Sequence, residues 1–203
     1  MNKILVFGST GQTGMAAVDA ALLQGLTVLA FVRNTSKIPD SWGSKVQTVV
    51  GDALQYDTVL NAVNQGVDGV VVALGTRNKL EATTDMSEGM KNIVKAMKAA
   101  NVTTVSVCLS SFLFMDPEKV PKMFNEINAD HKRMLDVVKN SGLNYIAVFP
   151  PHIADEPKSN YTIKHDASPG RVISKYDLGE FLVSSLSKPE HYGKSCGIAK
   201  VVG

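Results

Sequence analysis

The chain has little cysteine, little aromatic content and little excess charge: 2 Cys, 1 Trp, 6% aromatic residues and a net charge of +2 over 203 residues. Cys108 and Cys196, with no CxxC pair, are too few for a disulfide scaffold, which points to a reducing, cytoplasmic setting. No lysine or arginine run forms a basic stripe, so no nucleic-acid partner is expected. The apolar stretches are strand-length and soon broken, which excludes a spanning helix and gives no reason to expect a membrane partner. The first residues lack the basic start, apolar run and cleavage site of a signal peptide. No cluster of His, Cys, Asp or Glu has metal-ligand spacing, so no metal is expected, and His165 and His191 have no supporting context.

What is present is an alternation. Short apolar, β-branched runs at residues 4–7, 27–32, 46–50, 69–73, 104–109 and 145–149 read as strands covered on both faces, because they are apolar almost throughout. Helical patterns lie between them at 12–24, 54–64, 84–99 and 125–140, with Gly25 and Gly142 at expected helix stops. Residues 175–186 read as one more helix, with Ser174 as N-cap and Asp177 in its first turn. The order βαβα implies parallel strands with right-handed crossovers. The expected fold is therefore α/β: a single doubly wound parallel sheet spanning 1–203, with helices on both faces. Residues 150–203 add loops on the substrate side and the last helix, and the irregular stretch 154–170 reads as a flap or wall. Ligands of such sheets bind beyond the carboxyl ends of the strands.

The first strand runs straight into Gly8-Ser9-Thr10-Gly11-Gln12-Thr13-Gly14 and then a helix. Strand, glycine turn and helix together build an anion site, where backbone N–H groups and the helix dipole meet a phosphate or pyrophosphate. The spacing is GxxGxxG, not the usual GxGxxG of dinucleotide sites, but its place after an N-terminal strand supports a nucleotide loop. In NAD-binding folds the second strand ends in an acid that holds the ribose hydroxyls. Here that place holds Arg33, with Ser36 and Lys37 close behind. A guanidinium, an ammonium and a hydroxyl suit a 2′-phosphate, so NADPH is favoured over NADH; the alternative is a solvated basic loop. Asp52, after the third strand, suits the adenine amine or an ordinary Gly-Asp turn. After the fourth strand, Leu74 and Gly75 let the backbone run near the cofactor. Arg77 suits cofactor phosphate, an anionic substrate or plain exposure.

The chemistry must sit at the same edge. None of Tyr56, Tyr145, Tyr161, Tyr176 and Tyr192 has a lysine four residues later, which argues against the Tyr-x-x-x-Lys alcohol–ketone chemistry of short-chain dehydrogenases. The fifth strand ends at Ser110 and Ser111, which can orient the nicotinamide carboxamide or a substrate, or simply cap the strand end. After the sixth, Pro150-Pro151-His152-Ile153 places an imidazole that can contact substrate or nicotinamide, or stand idle. His131 can reach the cleft from its helix or serve the structure. Cys108 reads as a buried, inert thiol.

Along nearly its whole length the chain resembles the family of NADPH-dependent flavin reductases that also reduce biliverdin-IXβ. The resemblance runs through residues 7–14, Leu74-Gly75-Thr76-Arg77-Asn78, Met86-Ser87-Glu88-Gly89, Met115-Asp116-Pro117, Pro150-Pro151-His152-Ile153 and Arg171-Val172-Ile173-Ser174-Lys175. It implies a mostly monomeric Rossmann protein of haem catabolism that transfers hydride from NADPH to flavins (FMN, FAD, riboflavin) and to linear tetrapyrroles. Carried over by position, Gly8, Thr10, Gly11, Gln12 and Thr13 would hold the pyrophosphate, and Arg33, Ser36 and Lys37 the 2′-phosphate. Asp52 and Ala53 would lie at adenine. Leu74, Gly75, Arg77, Met86 and Cys108 would line the rest of the groove. Ser110 and His152 match the family's active-site serine and histidine; His131 and Ile153 are also counted at the site. Lys37 stands where the family's best-known members have arginine, Met115 replaces a bulky aromatic, and the tail after Leu186 diverges. Two rival readings use the same loop: a nucleotide-sugar epimerase or dehydratase, and an NADP(H)-sensing regulator without turnover.

Overall fold

The computed structural model describes residues 1–76 and 80–201. Eight strands form one sheet. They are β1 (Lys3–Phe7), β2 (Thr27–Val32), β3 (Val46–Val50), β4 (Gly69–Val72), β5 (Thr104–Cys108), β6 (Asn144–Phe149), β8 (Tyr161–His165) and β10 (Lys194–Lys200). A separate two-stranded ladder joins β7 (His152–Ala154) to β9 (Val172–Ser174). The five α-helices are α1 (Gln12–Leu23), α2 (Tyr56–Val63), α3 (Asp85–Ala99), α4 (Asn125–Lys139) and α5 (Lys175–Ser184). The sheet order is β3-β2-β1-β4-β5-β6-β10-β8, parallel throughout except for β8, which runs antiparallel to β10. Strand order reverses between β1 and β4, so the crevice beyond their carboxyl ends is the topological switch point of a doubly wound fold.

The apolar strands are explained by two cores. In β1, Leu5 and Phe7 face a core shared with α2, α3 and α4, while Ile4 and Val6 face a second core shared with α1 and α5. Successive side chains of a strand point to opposite faces, so a strand buried on both must be apolar at every position. Helix stops fall where glycine allows them: Gly25 and Gly142 both have φ of 75°. Ser174 caps α5 by accepting the Tyr176 N–H at 3.2 Å. Among the described residues no helix is long and apolar enough to cross a membrane.

The C-terminal third differs from the sequence reading. Residues expected as an irregular wall and a diverging tail contain four strands, and β10 is an interior strand between β6 and β8. The signals were weak for physical reasons. Strands β7 and β9 have three residues each. Edge strand β8 carries polar residues on its open side, and Gly197 interrupts the apolar run of β10. Buried Asp177 accepts the Ser159 N–H at 3.0 Å and its hydroxyl at 3.1 Å, which ties the 154–170 segment to α5.

Helices α1 and α5 meet through small residues. A Cβ on Gly179 would sit 2.5 Å from the carbonyl carbon of Ala16. Gly179→Ala is expected to push the helices apart and lower stability by about 1–3 kcal/mol or more, the usual cost of overpacking. A denaturant midpoint unchanged from the wild type would show that the two helices can separate freely.

Candidate functional site

At the end of β1 the backbone turns into α1 with no room for side chains. Gly8 has φ of 74°, and a Cβ there would lie 2.1 Å from the Ala73 carbonyl oxygen at the end of β4. A Cβ on Gly14 would lie 2.1 Å from the Gly8 carbonyl oxygen. Gly11 donates its N–H to that same carbonyl at 2.9 Å, closing the turn. Buried Ser9 donates its hydroxyl to the Phe31 carbonyl at 3.0 Å, tying the loop to β2. Sequence reasoning gave Ser9 no part, yet it fixes the loop's height over the sheet.

The start of α1 is electrostatically distinct. Helices α2, α3, α4 and α5 each carry an acidic residue in the first turn, whereas α1 has none and no side chain caps it. The N–H groups of Gln12 and Thr13, with the positive end of the helix dipole, are thus left for an external anion. Helix α3 shows the contrast. Buried Asp130 of α4 accepts the Met86 and Ser87 N–H groups at 3.1 and 3.4 Å, and the Nε–H of Arg133 at 3.1 Å. Sequence reasoning missed Asp130, which only the packing of α4 on α3 makes visible.

The remaining candidates divide into open and closed groups. Arg33, Ser36 and Lys37 are exposed around a 3₁₀ turn, in which Asn34 Oδ1 accepts the Ser36 N–H at 2.9 Å. Neither Arg33 nor Lys37 has a carboxylate partner among the described residues. Asp52 shapes the next turn, accepting the Leu54 N–H at 3.0 Å through one oxygen. The carbonyl of neighbouring Ala53 accepts the Asn92 amide of α3 at 2.8 Å. Leu74 is half-buried, and Gly75 is exposed with nothing within 4 Å of a Cβ placed on it. Thr10 and Thr13 are half-buried and Gln12 is exposed. Arg77 lies outside the described residues.

Ser110 is half-buried and caps the 3₁₀ turn Ser111–Phe114, accepting the Phe112 N–H at 3.3 Å, so the capping alternative holds for its acceptor side. His152 is exposed, with its N–H on the Arg171 carbonyl at 3.2 Å, and half-buried Ile153 pairs with Ile173 in the β7–β9 ladder. Met115, at the end of the 3₁₀ turn, is 41% exposed.

Three expected groove residues have side chains that are largely closed off. Met86 is 2% exposed and packs in the core beneath α3, so its side chain is withdrawn from the groove. Cys108 is 8% exposed, and burial pushes its thiol up to about 12, as suits an inert core residue. His131 is largely closed off: its Nδ1 is buried without a hydrogen-bond partner, as is Oδ1 of Asn128 one turn earlier. Burial lowers the His131 imidazole to about 4, partly opposed by the charge of Asp130.

Each of the five tyrosines has a contact elsewhere in the fold. Tyr145 and Tyr192 donate to the carbonyls of Gly193 and Leu186, and Tyr161 packs edge-on to Phe181. Tyr56 lies under Lys95 and Tyr176 under Lys175.

A family model described as NAD(P)H-binding matches residues 8–189. The chain belongs to this NAD(P)H-binding family. Its glycine turn, uncapped α1 and unpaired cations fit that family's ligand. The chain is 23% identical to isoflavone reductase homolog P3 of Arabidopsis thaliana, over 95% of this chain and 67% of the relative. A Rossmann-fold NAD(P)-binding protein from Shigella flexneri superposes with a TM-score of 0.79 at 24% identity, covering 98% of this chain and 94% of that one. A short-chain dehydrogenase/reductase from Veillonella parvula, solved in complex with NADP, gives 0.76 at 16% identity, with 98% and 94% covered. Both structures share the fold of this NAD(P)H-binding family member.

The buried His131 carries a pH prediction. Its folded value near 4 lies below the unfolded 6.5. Between these values the unfolded chain binds the proton and the native chain does not. Stability is therefore expected to fall as pH drops from 6.5 towards 4, by up to roughly 3 kcal/mol, and to lose no more from this group below that. His131→Gln should flatten this part of a denaturant-midpoint profile; an unchanged slope would remove His131 as its source.

Proposed function

We propose that the protein is an NADPH-dependent reductase that passes hydride to planar conjugated acceptors, flavins and linear tetrapyrroles. The observation that carries the cofactor half is the pairing of an acid-free, uncapped α1 with exposed, unpaired Arg33 and Lys37 where NAD-specific folds place an acid. Gly8, Gly11 and the N–H groups of Gln12 and Thr13 hold the pyrophosphate; Arg33, Ser36 and Lys37 hold the 2′-phosphate. Asp52, through its second carboxylate oxygen, meets the adenine amine. When bound, NADPH supplies the hydride.

The acceptor half rests on what surrounds Ser110 and His152 and on the family resemblance of the sequence. The sequence has no Tyr-x-x-x-Lys pair to protonate a developing alkoxide. A flavin or bilin spreads the incoming charge over its rings, so positioning can supply much of the rate and solvent can deliver the proton. The Ser110 hydroxyl is free to donate while its oxygen caps the 3₁₀ turn, and the exposed His152 ring orients the acceptor from the β7–β9 ladder. Exposed Met115 offers the acceptor a flexible apolar surface that tolerates several shapes. The buried, free thiols of Cys108 and Cys196 accord with a reducing, cytoplasmic setting.

Two measurements test this. The double substitution Arg33→Ala, Lys37→Ala is expected to weaken NADPH binding roughly ten- to hundredfold, from about 1.5–3 kcal/mol of charge-assisted contact, while leaving NADH binding nearly unchanged. Equal losses for both nucleotides would reject the 2′-phosphate assignment. NADPH absorbance followed with FMN, with biliverdin and with no acceptor should show acceptor-dependent oxidation. His152→Ala should keep turnover within about a hundredfold of wild type, since a larger loss is the mark of an obligatory acid. Tight NADPH binding without oxidation would overturn the reductase reading.

A further inference from the structure

Two strands beyond β6, three side chains far apart in sequence converge on one point. Cys196 of β10 pairs across the antiparallel ladder with His165, the last residue of β8. His191 sits in the 3₁₀ turn Pro189–His191 that leads into β10. His165 Nε2 lies 3.0 Å from His191 Nδ1, and Cys196 Sγ lies 3.8 Å from that same nitrogen. One ligand atom from each residue falls within 4.8 Å of the others.

Hydrogen bonding alone does not use this arrangement fully. A neutral imidazole nitrogen offers either one proton or one lone pair, yet His191 Nδ1 faces two partners. A cation between the three atoms would receive a lone pair from each. Tetrahedral zinc, with bonds of about 2.0–2.1 Å to nitrogen and 2.3 Å to sulfur, sets its ligand atoms roughly 3.3–3.7 Å apart. The two separations from His191 Nδ1, 3.0 and 3.8 Å, lie either side of that range, and the full set, spread within 4.8 Å, closes onto an ion with a small side-chain shift.

The supporting groups are ordered and the entry path is open. Cys196 is buried inside the sheet, His191 is half-buried and His165 is exposed. The His191 ring packs edge-on against Phe181 of α5, with centroids 5.2 Å apart, and against His165 at 5.3 Å. A divalent cation would bind Cys196 as the thiolate and release its proton to solvent.

We propose that His165, His191 and Cys196 form a zinc site, with the fourth position taken by water. Two imidazoles and a thiolate suit zinc and not magnesium or calcium, which take oxygen ligands. The ion clamps edge strand β8 and the turn before β10 to the sheet. The site is independent of the cofactor cleft and of the reaction assigned to it.

The test uses the full chain, stripped of metal with a chelator and titrated with cobalt(II), then with zinc. The expected result is one cobalt per chain, with a sulfur-to-cobalt charge-transfer band and the strong visible bands of tetrahedral coordination, both abolished when zinc displaces it. Cys196→Ser should remove the charge-transfer band. Cys196 is buried, so His165→Ala, on the open edge of β8, provides a second variant that leaves the core intact. It should weaken zinc by at least the roughly 10–100-fold that losing even an outer partner costs. Cooperative thermal unfolding checks that each variant is folded. No tetrahedral spectrum in the wild type, or zinc affinity unchanged in His165→Ala, would overturn the site.

Discussion

The meeting of three backbones at Gly8 is the constraint on which the rest of the molecule depends. The end of β1, the end of β4 and the start of α1 touch there main chain to main chain, with Cβ positions on Gly8 and Gly14 both falling 2.1 Å from a carbonyl oxygen. That contact sets the direction of α1, whose first N–H groups emerge at the switch point between β1 and β4. Helix α1 in turn seats α5, because Gly179 admits Ala16 without a side chain between them. Helix α5 follows directly from β9, and β9 holds β7, which carries His152. The cofactor loop and the exposed imidazole are thus linked by a short series of rigid contacts.

Charge completes what geometry begins. A doubly wound fold presents several helix N-termini near the carboxyl edge of its sheet, and each is a potential anion site. In this chain four of the five α-helices carry an acidic residue in the first turn, and α3 is further occupied by buried Asp130. Only α1 keeps its positive end uncompensated by an acid of its own first turn. Among the described helices, α1 thus differs from the others in the charge of its first turn, and α3 also has its N–H groups held by Asp130.

This pattern explains what could be read from the sequence. Strands β1 to β6 were legible because burial on both faces makes residues such as Ile4, Leu5, Val6 and Phe7 apolar without interruption. The glycine loop was legible because backbone contact excludes every larger residue. The C-terminal strands were not, since three-residue ladders and a polar edge strand carry almost no periodic signal. Burial was equally hidden for Met86 and His131, which the family resemblance places at the groove but whose side chains are largely closed off. His165, His191 and Cys196 could not be grouped by spacing at all, because it is the pairing of β8 with β10 that brings them together.

The two halves of the cleft thus obey different rules. In the proposed function the phosphate end rests on main-chain contacts and helix charge at the glycine turn. The proposed acceptor end rests on side chains of small elements: Ser110 before a four-residue 3₁₀ turn, His152 on a three-residue strand and Met115 at a turn's end. Such elements bury little, so their residues can change without disturbing either core. If the proposed function holds, the determinants of acceptor choice lie beyond β5 and β6, and not in the glycine loop.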